Sequence, residues 1–221
     1  MVIRANLLIY IFSVIGVEIF LMRHIRRALR EDKNIIEEIR ISEFNRSTEF
    51  KLLRPEKLLW SEIDDNSIVL VVFDENNTAI STMMGITTHN TNETEDIINC
   101  SVPDIVKFPA MLFTSAATLE PFRRMGLNQL LRYYFLLYAS KNNIQTFISP
   151  VYKSAPRVKF MKMMGYEFVA PERNWQTKLD PRSERQLGLL DSSKIPHALS
   201  TIEFYKKDTL NKYTWQGEPL V

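Results

Sequence analysis

Residues 123–128 read RRMGLN and separate a strand-like segment from a long helical one. The preceding residues 108–119 are an apolar run typical of a strand, and residues 127–140 carry apolar side chains at helical spacing. A helix N-terminus presents unpaired backbone N–H groups and a partial positive charge, which favour a bound anion. Gly126 lets such a ligand approach the backbone closely, and the two arginines add positive charge. The sequence therefore predicts a phosphate-binding loop at the start of this helix.

Strand-like and helix-like segments alternate along the rest of the chain. Helical spacing predicts a helix over 32–44, and Ser154 followed by a proline predicts the start of another. Strands are predicted over residues 67–73, 79–88, 108–119, 144–152, 166–169 and 200–205. Pro150 favours an edge or a splayed end for its strand, and residues 89–96 and 180–197 are predicted to be loops. A hairpin followed by alternating strands and helices indicates an α/β (α+β) fold, with a mixed sheet flanked by helices.

The composition is that of an ordinary globular protein. Of the 221 residues, 45% are hydrophobic and 24% are charged, so a single domain with appendages can bury a core. The formal net charge of +2 is too balanced to indicate nucleic-acid binding. The single cysteine, Cys100, excludes an internal disulfide, and the three histidines form no metal-ligand spacing with it. We therefore expect no metal, no nucleic-acid partner and a reducing, cytoplasmic location.

An apolar segment near the N-terminus leaves two alternatives open. Residues 5–22 are apolar except for Asn6, Ser13 and Glu18, and their number is at the lower limit for a membrane span. Glu18 opposes insertion, because an ionised group in hydrocarbon is costly. If the segment spans, the arginines after it place the main domain in the cytoplasm. The alternatives are membrane contact through residues 5–22 and a helix or strand attached to a cytoplasmic domain.

Three short motifs occur in a fixed order along the chain. Residues 25–32 read IRRALRED, the segment Arg123-x-x-Gly126-x-Asn128 joins a strand to a helix, and residues 160–166 read FMKMMGY. They resemble, in that order, the opening strand, the acyl-carrier loop and the late helix-to-strand motif of the Gcn5-related N-acetyltransferases. The resemblance implies a mixed, mostly antiparallel central sheet with a splayed strand pair, flanked by helices.

The resemblance also implies a set of ligands and ligand-binding residues. The donor is acetyl-CoA or another acyl-CoA, with an acyl-carrier protein as the alternative, and no metal takes part. A backbone N–H of Leu119 or a neighbour stabilises the oxyanion. The carrier-binding residues are Leu119, Arg123, Arg124, Met125, Gly126, Leu127 and Asn128.

Two residues depart from the family pattern and affect the catalytic assignment. Asn128 replaces the second small residue of the loop, and Met161 stands where the family has a tyrosine that protonates the leaving thiolate. Glu120, beside the loop, is the first candidate for general base, with a solvated loop carboxylate as the alternative. Tyr152, at the end of the next strand, is the candidate acid, with a rim aromatic as the alternative.

These features predict an N-acyltransferase in which a primary amine attacks a thioester directly. The alternative is a catalytically degenerate acyl-CoA-binding sensor or adaptor, which Met161 and the apolar N-terminus favour. Arg40-x-x-x-Phe44 resembles a pattern of N-acyl amino acid synthases and homoserine-lactone synthases, which share the scaffold. The predicted division is an N-terminal segment (1–18), an acyltransferase domain (19–210) and a C-terminal tail (211–221).

Overall fold

A computed structural model describes residues 22–46, 58–171, 185–218 and 220. The strands are β1 (His24–Arg27), β2 (Ile68–Phe73), β3 (Ala79–Thr88), β4 (Ala110–Thr118), β5 (Thr146–Tyr152), β6 (Glu167–Val169), β7 (Arg185–Asp191) and β8 (Thr214–Trp215). The α-helices are α1 (Lys33–Arg46), α2 (Glu62–Asp65), α3 (Thr91–Ile98), α4 (Leu127–Lys141), α5 (Arg157–Met163) and α6 (Ile195–Lys212). The strands form one sheet in the order β6-β7-β5-β4-β3-β2-β1-β8. This mixed, mostly antiparallel sheet with helices around it confirms the predicted fold class.

The alternation of side chains along β2 shows how the helices cover the sheet. Every residue of β2 is buried, as in a strand with both faces covered. Leu70 packs in the cluster that contains Phe135 of α4, whereas Val71 packs with Ile39 of α1. Successive side chains of a strand point to opposite faces, so α4 and α1 lie on opposite sides of the sheet.

The neighbouring parallel strands β4 and β5 pair only over their first halves. Leu112 and Ile148 form the last pair between them in the part of the chain that the structure describes. From Phe113 and Ser149 onward, β4 stays with β3 and β5 stays with β7. A gap therefore opens between the carboxyl ends of the two strands, which confirms the predicted splayed pair. Pro150 lies in this divergent half of β5, as predicted from its inability to donate a ladder hydrogen bond.

The predicted loop over residues 89–96 is wrong, because this polar segment contains the helix α3. The Asn90 side chain caps α3 by accepting a hydrogen bond from the backbone N–H of Glu93 at 2.9 Å. The Glu93 side chain in turn accepts from the N–H of His89 at 2.7 Å. Capping interactions of this kind stabilise the N-terminus of a short helix.

The strand predicted over residues 200–205 is wrong, and the loop predicted over 180–197 is wrong for its described part, because residues 180–184 lie outside the described residues. Residues 185–191 form β7, which pairs along the whole of β5, and residues 200–205 lie inside α6. Ala198 and Ile202 are buried in the same cluster as Phe135, so α6 packs against α4. Burial of one face of α6 therefore outweighs the strand propensity of the β-branched and aromatic residues in this segment.

Both ends of the chain were given predicted roles. Except for Met22, the predicted apolar segment 5–22 lies outside the described residues, and none of the described helices is long and apolar enough to cross a membrane. The first strand, His24–Arg27, overlaps the start of the segment 25–32 that resembles the family's opening strand. Thr214–Trp215 pairs in parallel with β1. The division at residues 18 and 210 stays a prediction.

Candidate functional site

The loop between β4 and α4 has the geometry of an anion cradle. After a 3-10 turn, Glu120–Phe122, Arg124 and Gly126 both adopt positive φ, 65° and 83°. The first backbone hydrogen bond of α4 runs from the N–H of Leu130 to the carbonyl of Gly126, at 2.9 Å. Among the described residues, no backbone carbonyl accepts from the N–H groups of Gly126, Leu127 or Asn128. These donors and the helix dipole therefore favour a bound phosphate.

Gly126 also fits closely against α6, which the sequence did not predict. A Cβ atom added to Gly126 would lie 2.8 Å from Oγ1 of Thr209 and 3.2 Å from Cδ of Lys206. The hydroxyl of Thr209 donates to the carbonyl of Met125 at 2.8 Å. Glycine is therefore required here by its positive φ and by its neighbours, as well as by any ligand.

The two arginines of the loop differ in their surroundings. Arg123 forms an ion pair with Glu43 of α1, and the side chain of Glu43 is only 5% exposed. This contact ties the loop to α1 and engages the charge of Arg123 with a carboxylate. Arg124 is exposed, which leaves its guanidinium accessible to a ligand.

A bulge in β4 lies where the gap between β4 and β5 begins. Thr114 faces Met84 of β3 and Ala117 faces Thr82, so β4 has one extra residue between these pairs. Ser115, inside the bulge, has a φ of 50°. A bulge leaves the extra residue outside the regular ladder, so its backbone N–H can point elsewhere.

The oxyanion donor predicted at Leu119 or a neighbour stays a prediction. The N–H of Leu119 donates to the carbonyl of Ile80 in β3 at 3.0 Å, so this amide is already used inside the sheet. The bulge, which lies a few residues earlier in β4, is the neighbour that can supply a donor instead. Residues 110–118 contain no glycine or proline that would have indicated this bulge.

A buried arginine on α4 joins the loop to the gap. Arg132 is 2% exposed, and its guanidinium donates to Asn128 Oδ1 at 3.0 Å, Ser149 Oγ at 2.9 Å and Tyr166 Oη at 3.1 Å. It also lies over the ring of Phe113, 4.9 Å from the centroid. Arg132 thus links the side chain of Asn128 to β5 and to the start of β6. This link accommodates Asn128 at a position where the family pattern has a small residue. We call these four hydrogen-bonded residues the Arg132 cluster.

The predicted catalytic residues lie after neighbouring parallel strands, at the same edge of the sheet. Glu120 follows β4 and is exposed. Tyr152 ends β5 and is buried, and Arg185 of β7 donates to its hydroxyl at 2.8 Å. The guanidinium of Arg185 also lies 5.0 Å from the centre of the Tyr152 ring. The structure therefore places both residues at the carboxyl ends of β4 and β5, where the gap opens.

The position of the missing tyrosine is filled by core packing. Met161 is 1% exposed, and its Cε lies 2.8 Å from where a Cβ on Gly188 would be. Tyr166 is buried beside the same glycine, and burial raises the pKa of its hydroxyl despite the opposing charge of Arg132. Met161 and Tyr166 therefore both belong to the core.

Other features of the described residues do not converge on this site. Burial raises the pKa of the Cys100 thiol to about 12, so it is a poor nucleophile. No cluster of metal-ligating side chains occurs in the described part of the chain. Two clefts of about 250 and 490 Å³ are lined mainly by residues 26–30 and 64–69, and not by the loop. Residues 216–218 and 220 line the larger cleft alone.

Comparison with known proteins gives likeness in fold alone. By sequence, neither a family of known proteins nor a curated protein matches the chain. A CoA-dependent acyl-homoserine lactone synthase, BjaI, solved with SAM and isopentyl-CoA, superposes with a TM-score of 0.62 at 12% identity, over 89% of this chain and 94% of that one. The structure of yncA, a putative acetyltransferase from Salmonella typhimurium with its cofactor acetyl-CoA, gives a TM-score of 0.58 at 14% identity, over 77% of this chain and 94% of that one.

A third similar structure is of a protein of the GNAT family, which is the abbreviation for the Gcn5-related N-acetyltransferases. It is a putative acetyltransferase of the GNAT family from Desulfovibrio desulfuricans, with a TM-score of 0.53 at 11% identity, over 77% of this chain and 99% of that one. The chain therefore has the fold of the Gcn5-related N-acetyltransferases.

Proposed function

We propose that this chain is an N-acyltransferase that moves an acyl group from acyl-CoA or an acyl-carrier protein to a primary amine. The observation that carries the proposal is the glycine-started helix α4, which begins at the carboxyl end of β4 beside the gap. A phosphate of the carrier binds the N–H groups of Gly126, Leu127 and Asn128, with Arg124 adding charge. The pantetheine arm then extends into the gap between β4 and β5.

The proposed reaction is a direct transfer without a covalent enzyme intermediate. The amine nitrogen attacks the thioester carbon, a C–N bond forms, the C–S bond breaks, and the thiolate leaves with a proton. The amide that the bulge at Ser115 removes from the β3 ladder is the proposed donor to the oxyanion. Glu120 is the proposed general base, and Tyr152, oriented by Arg185, is the proposed acid.

Carrier binding is best tested at Arg124, because a larger residue at Gly126 would also disturb the contact with Thr209. Replacing Arg124 by glycine removes the charge and relieves a positive φ of 65°. We expect Arg124→Gly to weaken CoA binding about tenfold by calorimetry, the loss of one charge-assisted contact. Asn77→Gly, at a φ of 58° in the remote β2–β3 turn, is the matched control. Equal affinities in Arg124→Gly and the control would remove Arg124 from the site.

The second candidate function is an acyl-CoA-binding sensor without catalysis, which the buried Met161 favours. Thiol release from acetyl-, butyryl- and octanoyl-CoA over a panel of primary amines separates the two functions. Turnover that falls at least tenfold in Glu120→Gln or Tyr152→Phe, with unchanged CoA affinity, supports the enzyme. Tight binding without thiol release across the panel supports the sensor.

A further inference from the structure

The second half of α6 exposes aromatic rings beside the loop. Phe204 and Tyr205 are 78% and 55% exposed, and their rings meet edge to face with centroids 4.8 Å apart. Phe160 of α5 contacts Tyr205 in the same manner at 6.3 Å. Single exposed apolar residues are common, but contacting rings on two helices form a continuous aromatic surface. We call Phe160, Phe204 and Tyr205 the aromatic platform.

A break in α6 places Lys206 near both the platform and the loop. Lys206 has non-helical dihedral angles, φ −127° and ψ 21°, in the middle of α6. Its Nζ lies 5.5 Å from the centre of the Phe160 ring, and its Cδ lies 3.2 Å from where a Cβ on Gly126 would be. Lys206 therefore lies between the platform and the N-terminus of α4.

The charges around the platform are mixed, and their placement matters more than their sum. Glu203 accepts a hydrogen bond from the hydroxyl of Tyr133 at 2.9 Å, and Asp208 is exposed one turn away. The charges adjoining Gly126 are cationic, because Lys206 reaches it from α6 and Arg124 is two residues earlier in the loop. The side of the platform that faces the loop therefore favours phosphate groups.

We propose that the aromatic platform binds the adenosine end of CoA, with its base stacked on Tyr205 or Phe204 and its phosphates beside Lys206. Aromatic side chains bind bases by stacking, because every base has a π-face. The inference rests on the proposed function, since it extends the carrier site outward from the loop. It selects between the two donors, because an acyl-carrier protein presents phosphopantetheine without an adenine. The donor is therefore free acyl-CoA.

Calorimetry with CoA, 3′-dephospho-CoA and 4′-phosphopantetheine tests this inference. We expect the protein to bind CoA at least about tenfold more tightly than phosphopantetheine, because stacking of one base contributes about that factor. Tyr205→Ala and Phe204→Ala should reduce this ratio while leaving phosphopantetheine affinity unchanged. Lys206→Met should weaken both nucleotides more than phosphopantetheine. Both rings are exposed, so these variants should fold normally.

Ile105→Ala is the control, because Ile105 is 60% exposed and precedes the amino end of β4, away from the gap. Equal affinity of the wild-type protein for CoA and phosphopantetheine would overturn the inference and leave the proposed function standing. A ratio that both aromatic variants leave unchanged would also overturn the platform. If the wild-type protein binds none of the three ligands, the proposed function fails as well.

Discussion

Among the described residues, two arginines are almost completely buried, and they are stabilised in different ways. Arg40 of α1 is 1% exposed and forms an ion pair with Asp64 of α2 at 2.6 Å. Arg132 of α4 is 2% exposed, yet the oxygens that it contacts, on Asn128, Ser149 and Tyr166, are all neutral. A buried charge without a counterion is the more costly arrangement.

The difference shows which part of the molecule contains the less stable arrangement, a buried arginine that contacts only neutral oxygens. The Arg40–Asp64 pair joins α1 to α2. The Arg132 cluster joins the proposed carrier loop to the divergent half of β5. We infer that Arg132 positions Asn128 and Ser149 beside the proposed carrier site, and that Arg40 stabilises the fold.

Breaking the Arg40–Asp64 pair should have the largest effect on stability. Asp64→Ala leaves the guanidinium of Arg40 buried without its carboxylate, which costs about 3–5 kcal/mol in comparable pairs. Chemical denaturation measures the loss. Asp65→Ala is the control, because exposed Asp65 accepts a hydrogen bond from Trp60, and its loss should cost under about 1 kcal/mol. The double change Arg40→Met and Asp64→Leu should recover most of the lost stability. Equal losses of stability in Asp64→Ala and its control would show that the Arg40–Asp64 ion pair is not a major source of stability.

Removing one neutral acceptor from Arg132 should cost less. Tyr166→Phe deletes the hydroxyl that accepts from Arg132, and hydrogen bonds to charged groups contribute about 1.5–3 kcal/mol. Denaturation measures this loss, and Tyr133→Phe, whose hydroxyl bonds the exposed Glu203, is the control. If Tyr166→Phe matched Asp64→Ala, the two buried arginines would not differ in the way that we infer.

The loop and the first half of the sheet could be predicted because their signals are local. The strand β3 was predicted with its observed bounds, and Gly126 marked the start of α4. The Arg132 cluster could not be predicted, because Ser149 and Tyr166 lie 17 and 34 residues away in sequence. Only tertiary packing brings these side chains together.

The secondary structure of the C-terminal part of the chain was predicted wrongly for a different reason. Residues 200–205 have the composition of a strand, but the face that includes Thr201 and Ile202 is buried against α4 and α5. The contact of Thr209 with the loop depends on the break at Lys206, for which the sequence contains no proline or glycine. The platform and the packing of Gly126 both follow from this unpredicted helix.

A third arginine, Arg123, forms an ion pair in which only the carboxylate partner is buried. Its side chain is 48% exposed, whereas its partner Glu43 is buried. Glu43→Gln should lower stability by about 1 kcal/mol, because the amide still accepts a hydrogen bond but carries no charge. It should also raise CoA affinity a few-fold, because the charge of Arg123 becomes available to a phosphate. Denaturation and calorimetry on the same variant separate these effects, and an unchanged affinity would confine Arg123 to holding the loop on α1.

An exposed pair should have the smallest effect, and its pH dependence has a definite sign. The hydrogen bond from Lys107, supported by Ser193, lowers the pKa of Asp191 from 3.8 to about 2. The stabilisation is therefore present above the unfolded pKa and is lost as the pH falls from about 4 towards 2. Asp191→Asn should cost under about 1 kcal/mol at pH 7, because water screens the pair, and the difference from wild type should shrink at pH 3. Denaturation at both pH values measures it. A loss comparable to that of Asp64→Ala would show that burial does not govern the strength of these ion pairs.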